Sequence, residues 1–232
     1  CLSCASLLQW FELIPLLSYL GLRGRCRTCG CKIPVRYFLV ELLTATVFTL
    51  SVTIATFLTE LLILWCIMGV LVVITVYDYY HYIIPDSLTV FLSGAVACLW
   101  GVWLYFGFES VESLLWALGA TIGGATFFFF LWLISQGQWL GFGDVKLALP
   151  LGFLVGSQLV FSFVVLSFWI GAAVSLVIVG YLSLRNRGQA GLHLPSTRLT
   201  MKSAVPFAPF MVASSLVILF THFNVLHLFS FV

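Results

Sequence analysis

Two aspartates and two pairs of cysteines are the residues whose types and spacing could do chemistry in this chain. Asp78 ends the apolar run from Leu61 to Tyr77, and Asp144 lies in the turn Gly141-Phe142-Gly143-Asp144-Val145-Lys146 between two apolar segments. An ionisable carboxyl in such surroundings is costly and marks a functional site. Two carboxyls held close together repel, so one keeps its proton as an acid while the other stays ionised as a base, which is what water activation by carboxylates requires. Asp78 and Asp144 are therefore expected to form a catalytic dyad inside a membrane. The second constellation is Cys1-x-x-Cys4 followed, after 21 intervening residues, by Cys26-x-x-Cys29. Four thiolates at this spacing suit tetrahedral Zn²⁺, which closes a segment too small to have its own core. Disulfides or free thiols are the alternative, and a reducing cytoplasm disfavours the former. Cys31 is left over from the two matched pairs, while Cys66 and Cys98 fall within apolar runs as small packing residues.

The elements that must position these groups follow from composition. Of 232 residues, 62% are hydrophobic, 8% are charged and 22 are Phe, which exceeds what a soluble core needs and reads as an integral membrane protein. Seven continuous apolar stretches, roughly 37–58, 60–79, 86–107, 111–135, 144–156, 158–184 and 203–223, are candidate spans near the ~20 residues a bilayer helix requires. The fifth is short and is expected to continue past Gly156. None shows the period-two alternation of a membrane barrel. The expected fold is all-α: a polytopic helical bundle of about seven spans, residues 37–232, behind a small cytoplasmic zinc-binding module, residues 1–36.

Basic residues set the orientation, since positive charge near span ends stays in the cytoplasm. Arg23, Arg25, Arg27, Lys32 and Arg36 precede the first span, Lys146 follows the Gly-x-Gly-Asp turn, and Arg185, Arg187, Arg198 and Lys202 lie between the last two. Seven spans with a cytoplasmic start put all ten inside and leave Glu60, Glu109 and Glu112 outside. Both loops carrying the aspartates, 78–86 and 136–144, then face the cytoplasm. The net charge of +2 is topological, and no nucleic-acid surface is expected, since that needs a concentrated basic face. The chain starts at Cys1 without Met, which predicts upstream residues. Residues 1–9 lack the basic flank and apolar core of a signal peptide.

Local context separates the acidic residues. Asp78 sits on the last turn of an apolar helix, with no basic residue at helical spacing to neutralise it. Pro85 ends that segment, and Asp86-Ser87 is placed to cap the next helix. His81 reads as an interfacial residue. Three glycines between Gly137 and Gly143 permit tight turns, letting Asp144 open the fifth helix at its positive dipole end, with Lys146 snorkelling to the interface. Between the cysteine pairs, Glu12-Leu13-Ile14-Pro15-Leu16-Leu17-Ser18-Tyr19 can either rest on the membrane or supply the module's only core.

In this order the motifs resemble those of the type IV prepilin peptidases, polytopic aspartic proteases of the Gly-x-Gly-Asp class. The similarity is carried by the two Cys-x-x-Cys pairs, by Leu22-Arg23-Gly24-Arg25-Cys26-Arg27 and by Arg36-Tyr37-Phe38-Leu39-Val40-Glu41-Leu42-Leu43-Thr44. It continues through Asp78 with Ile84-Pro85-Asp86, through Gly141-Phe142-Gly143-Asp144-Val145-Lys146-Leu147 and through Pro206-Phe207-Ala208-Pro209-Phe210. The resemblance implies a multi-pass protein of the bacterial cytoplasmic membrane. It would cut the short basic leader from prepilins and pseudopilins on the cytoplasmic side, with Asp78 and Asp144 as the catalytic pair. It further implies methylation of the new amino terminus with S-adenosylmethionine. The family's first membrane helix, whose Gly-Ser-Phe-Leu-Asn-like stretch is linked to methylation, has no counterpart in residues 1–232. No nucleotide-binding glycine fingerprint is present either, so methylation rests on the resemblance alone.

Two other classes share part of the pattern. Intramembrane proteases of the signal-peptide-peptidase and presenilin type have the Gly-x-Gly-Asp turn but no cytoplasmic cysteine module of this kind. A transporter with a structural zinc clip could use Asp78 and Asp144 to bind a cation or proton.

Overall fold

The computed structural model describes residues 4–187 and 206–226, so Cys1, Arg198 and Lys202 lie outside the described residues. Apolar sequence in lipid must satisfy its backbone internally, which leaves helices. A 3₁₀ turn, Trp10–Leu13, precedes α1 (Leu17–Gly21), α2 (Val35–Ile54), α3 (Leu58–His81), α4 (Asp86–Tyr105), α5 (Val111–Ser135), α6 (Phe142–Val155), α7 (Val160–Arg187) and α8 (Ala208–Thr221). Five of these, α2, α3, α4, α5 and α7, are long and apolar enough to cross a membrane. The expected all-helical membrane fold is thus observed, with α2 to α8 at the seven apolar stretches.

Two sequence expectations change. The fifth apolar segment does not continue beyond Gly156: α6 ends at Val155, and Gly156 takes φ +83°, a conformation that suits only a residue without Cβ. Asp86 does not cap α4. Pro85 is the N-cap and Asp86 is the first helical residue, its carboxylate turned instead to Lys146 Nζ at 2.8 Å.

The chain forms two compact units, Cys1–Val72 and Val73–Val232. In the first, the segment between the cysteine pairs supplies internal contacts. The Tyr19 ring lies 5.1 Å from that of Phe38, and its hydroxyl donates to the Ile33 carbonyl at 3.3 Å. The Leu16 N–H donates to Glu41 Oε2 at 2.9 Å, while Leu13, Leu17 and Leu20 remain exposed. Glu60 is buried and accepts both the N–H and the hydroxyl of Thr56, at 2.7 and 2.8 Å.

In the second unit α6 is central, packing against α4, α5, α7 and α8. Its burial explains its composition: Asp144, Val145, Leu147, Ala148, Pro150, Leu151, Gly152 and Leu154 are all buried. Lipid tails are as apolar as leucine, so close packing and interhelical hydrogen bonds drive helix association. The Trp100 indole N–H donates to the Phe153 carbonyl at 2.9 Å, capping a C-terminal carbonyl of α6 that has no helical partner. Ser214 Oγ likewise donates to Phe163 O at 2.8 Å, joining α8 to α7. With 14 residues each, α6 and α8 rise roughly 21 Å, less than the ~30 Å hydrocarbon core.

Candidate active site

Asp78 and Asp144 both belong to the second unit. Asp78 lies on the last turn of α3, which stops at His81. The next residue, Tyr82, takes φ +55°, and its N–H closes on the Asp78 carbonyl at 2.8 Å. A left-handed tyrosine is strained, and such strain gathers at functional sites. Asp78 is 5% exposed and Asp144 is 7% exposed. The two are near enough for the charge of Asp78 to act on Asp144, although 66 residues separate them in sequence.

Backbone N–H groups hold each carboxylate. Gly141 is the N-cap of α6 and donates its N–H to Asp144 Oδ2 at 3.1 Å. Asp144 is therefore the third residue of the helix rather than its opening residue, reaching back as the acidic half of a capping box. The Asp78 carboxylate receives the N–H of Ala208, the first residue of α8. Two helix N-termini thus point partial positive charge at the pair. Among the described residues, Asp78 Oδ2 is buried without a hydrogen-bond partner, a costly state that a shared proton or a bound water would relieve.

The turns that make this possible are only partly glycine turns. Gly137 has φ +77° and follows Gln136, the left-handed C-cap of α5. Gly143 serves a close approach instead. A Cβ there would lie 3.2 Å from Ile84 Cβ and 3.4 Å from its Cγ1 and Cδ1, so the first turn of α6 sits directly against the loop after Asp78. The Lys146–Asp86 ion pair ties the same two segments together, and the Lys146 ammonium lies over the Phe142 ring, 5.1 Å from its centroid. Exposed His81 lies beside Tyr77, their ring centroids 4.4 Å apart. Sequence reasoning named Ile84 and Ala208 only within the motifs that carry the resemblance and gave them no role, because a backbone donor and an aliphatic packing residue carry no chemical signature.

In the first unit, the sulfurs of Cys4, Cys26 and Cys29 all lie within 4.8 Å of one another. Cys1, the expected fourth ligand, is outside the described residues. Local backbone shapes the cluster: the Cys26 N–H donates to the Cys31 carbonyl and the Gly30 N–H to the Cys26 carbonyl, both at 2.9 Å. The Cys29 and Thr28 N–H groups draw the Cys26 thiol down to about 7. At Cys29 the Cys31 N–H pulls downward, but the neighbouring Cys31, Cys4 and Cys26 thiols and burial outweigh it and push that thiol up to about 12. Crowded thiols of which one ionises readily and another resists are a donor set that a divalent metal resolves, because metal binding deprotonates all of them. No disulfide joins any of the six described cysteines.

Comparisons with known proteins place the chain among relatives. The family description "Bacterial Peptidase A24 N-terminal domain" matches residues 1–55, and "Type IV leader peptidase family" matches residues 65–176. Among curated proteins, the "Prepilin leader peptidase/N-methyltransferase" of Myxococcus xanthus is 36% identical over 204 residues, covering 85% of this chain and 57% of that protein. The protein of the same description from Aeromonas hydrophila is 34% identical over 224 residues, with coverages of 91% and 67%. One from Burkholderia pseudomallei is 30% identical over 229 residues, with coverages of 95% and 66%. The chain thus spans between 57% and 67% of the length of these relatives. No solved structure matches. With the cysteine cluster, the apolar bundle and the two buried aspartates in the order these comparisons cover, the chain belongs to the type IV leader peptidase family.

Proposed function

We propose that this protein is a membrane-embedded aspartic endopeptidase that removes the basic leader of prepilins and pseudopilins on the cytoplasmic side of the bacterial cytoplasmic membrane. Asp78 and Asp144 are its catalytic pair. The observation that carries the reading is the convergence of these two buried carboxyls, each held by the N–H of a helix start, in a chain of this family.

In the reaction one carboxylate takes a proton from water as its oxygen attacks the scissile carbonyl, while the protonated partner donates to the carbonyl oxygen; the first, now protonated, then gives its proton to the departing amine as the second recovers one from a hydroxyl of the tetrahedral intermediate. No covalent intermediate is needed. The pair titrates as a unit, so the proton belongs to the dyad rather than to either aspartate. The free side of Asp78 Oδ2 is the position for the shared proton or the attacking water. Gly141 and Ala208 keep the two carboxyls from turning away from one another, which fixes the reacting geometry in advance.

Cys4, Cys26 and Cys29, with Cys1 as fourth ligand, would hold a structural Zn²⁺ that orders the N-terminal segment. The chain also N-methylates the new amino terminus, S-adenosylmethionine supplying the methyl group when bound. The relatives' description as N-methyltransferases supports this second activity.

The test is incubation of the detergent-solubilised protein with a prepilin-like peptide, reading the cleavage position by mass spectrometry. Cleavage after the leader's last glycine is expected. Intact peptide with the wild-type chain, under conditions where a longer relative cleaves, would remove the assignment.

A further inference from the structure

Two cavities of the second unit meet at Ser157, and neither is lined by the dyad. The first, a chamber of about 320 Å³, has Trp100, Trp103, Glu109, Gln158 and His222 in its wall. The helices α4, α6 and α8 start beside the aspartates, and it is their last turns that line this chamber. It therefore lies at the opposite end of the bundle, where the spans leave the hydrocarbon. The second cavity, about 520 Å³, is an apolar groove between α5 and α7 whose walls include Gly123, Phe127, Val164 and Phe168. Because Ser157 lines both, a polar chamber at the membrane surface adjoins an apolar groove along the spans.

The chamber offers partners for both charges of a zwitterion. Glu109 stands in the loop between α4 and α5, which Gly107 turns at φ +74°. The Phe108 and Glu109 N–H groups tie that loop down, both donating to the Trp103 carbonyl, at 2.9 and 3.4 Å. No ion pair among the described residues involves Glu109, and no Lys or Arg lines the chamber, so its carboxylate favours an incoming cation. The carbonyl ends of α4, α6 and α8 act in the same sense, as do the indole faces of Trp100 and Trp103, whose rings lie 5.6 Å apart. Ser157, Gln158 and the His222 ring supply O–H and N–H donors for an anion. In the groove, Gly124 lets α5 close on α7, since a Cβ there would lie 2.8 Å from Val160 Cγ1. A Cβ on the preceding Gly123 would meet nothing within 4 Å, so that face of α5 is left uncovered.

An ammonium and a phosphate joined to an apolar chain match this outline. We propose that chamber and groove together seat one phosphatidylethanolamine molecule, in the leaflet away from the dyad. Its ammonium pairs with Glu109 beside the indole faces, and its phosphate takes the donors of Ser157, Gln158 and His222. One acyl chain lies in the groove against Phe127 and Phe168. A headgroup that carries the phosphate without the amine sets its charge against Glu109 and three helix C-termini. An apolar helix lying in the groove would cover its wall but would not answer the Glu109 carboxylate, so the lipid is the occupant that satisfies both cavities. Bound there, it links α5 to α7 and stabilises the folded bundle by mass action.

Native mass spectrometry of the delipidated full chain in detergent tests this, with phosphatidylethanolamine and phosphatidylglycerol of identical acyl chains as probes. One phosphatidylethanolamine per chain is expected, with phosphatidylglycerol bound about tenfold or more weakly, the scale of one charge-assisted contact. Glu109→Gln should erase that preference. Gly123→Leu, which sets a side chain into the open groove while gaining helix propensity, should abolish binding of either lipid. Both variants should unfold at the wild-type temperature in lipid-free detergent, which reports that the bundle is intact. No lipid bound by the wild-type chain, equal affinity for the two headgroups, or unchanged binding in both variants would overturn the site. So would a Gly123→Leu chain that still holds the lipid but shows a raised KM toward a full-length prepilin, because the groove would then seat the substrate's apolar helix.

Discussion

Replacing Asp144 by Asn separates the chemistry of this carboxyl from its structural service. Asp144 contributes one bond to the fold, Oδ2 accepting the Gly141 N–H at 3.1 Å, and an Asn side-chain oxygen can accept the same bond. What is lost is the charge and the ability to carry a proton, and with them the repulsion from Asp78. The variant should therefore unfold at the wild-type temperature or above it, while cleavage falls by about 10⁴-fold, the scale seen when one member of a catalytic set is removed. Asp144→Ala should be equally inactive and also less stable, because it discards the cap bond at a cost of about 1 kcal/mol. For a chain of this size that lowers Tm by roughly 2–4 °C. Combining Asp144→Asn with Asp78→Asn should make cleavage hardly slower than either single change, since the pair works as a unit. The assay is single-turnover cleavage of a prepilin-like peptide beside thermal unfolding in the same detergent. Retention of more than a tenth of the activity in Asp144→Asn, or a product of the two single effects in the double variant, would refute the dyad.

Other consequences are equally open to measurement. Gly143→Ala sets a methyl group 3.2 Å from Ile84 Cβ; helix propensity gained and overpacking incurred nearly cancel, so Tm should barely move while kcat falls about 10²-fold through displacement of Asp144, and a wild-type kcat would show that the contact is slack. Asp86→Asn should change stability by less than about 1 kcal/mol and leave cleavage within a few-fold, because its partner Lys146 meets it in an exposed ion pair worth little in water; a large loss would give Asp86 a role in chemistry. Elemental analysis of the purified, reduced chain should find about one Zn²⁺, with chelation unfolding the N-terminal segment, and its absence would cancel the ligand set. Cysteine labelling on a cysteine-free background should reach Ser110→Cys from outside the cell and Ala190→Cys only after permeabilisation, as placing every Lys and Arg inside demands; the reverse pattern would invert the topology.

Sequence alone determined the class of the molecule and its chemical groups. Continuous apolar runs leave a backbone no partner but itself in lipid, so helices at the seven stretches followed from composition. A carboxyl at the end of one run and another in a Gly-x-Gly-Asp turn were conspicuous because their surroundings make them expensive. Tertiary structure decided how those groups are held. That Gly141 and Ala208 supply the N–H donors could not be read from side chains, since a backbone donor is identical in every residue but proline. That Gly143 serves packing against Ile84, while Gly137 serves a left-handed turn, depends on which segment approaches which. Asp86 read locally as a helix cap and became an ion-pair partner of Lys146 because the fold carries a cation 60 residues away to within 2.8 Å. Spacing proposes which residues belong together, but only packing selects the backbone atoms and distant charges that orient them.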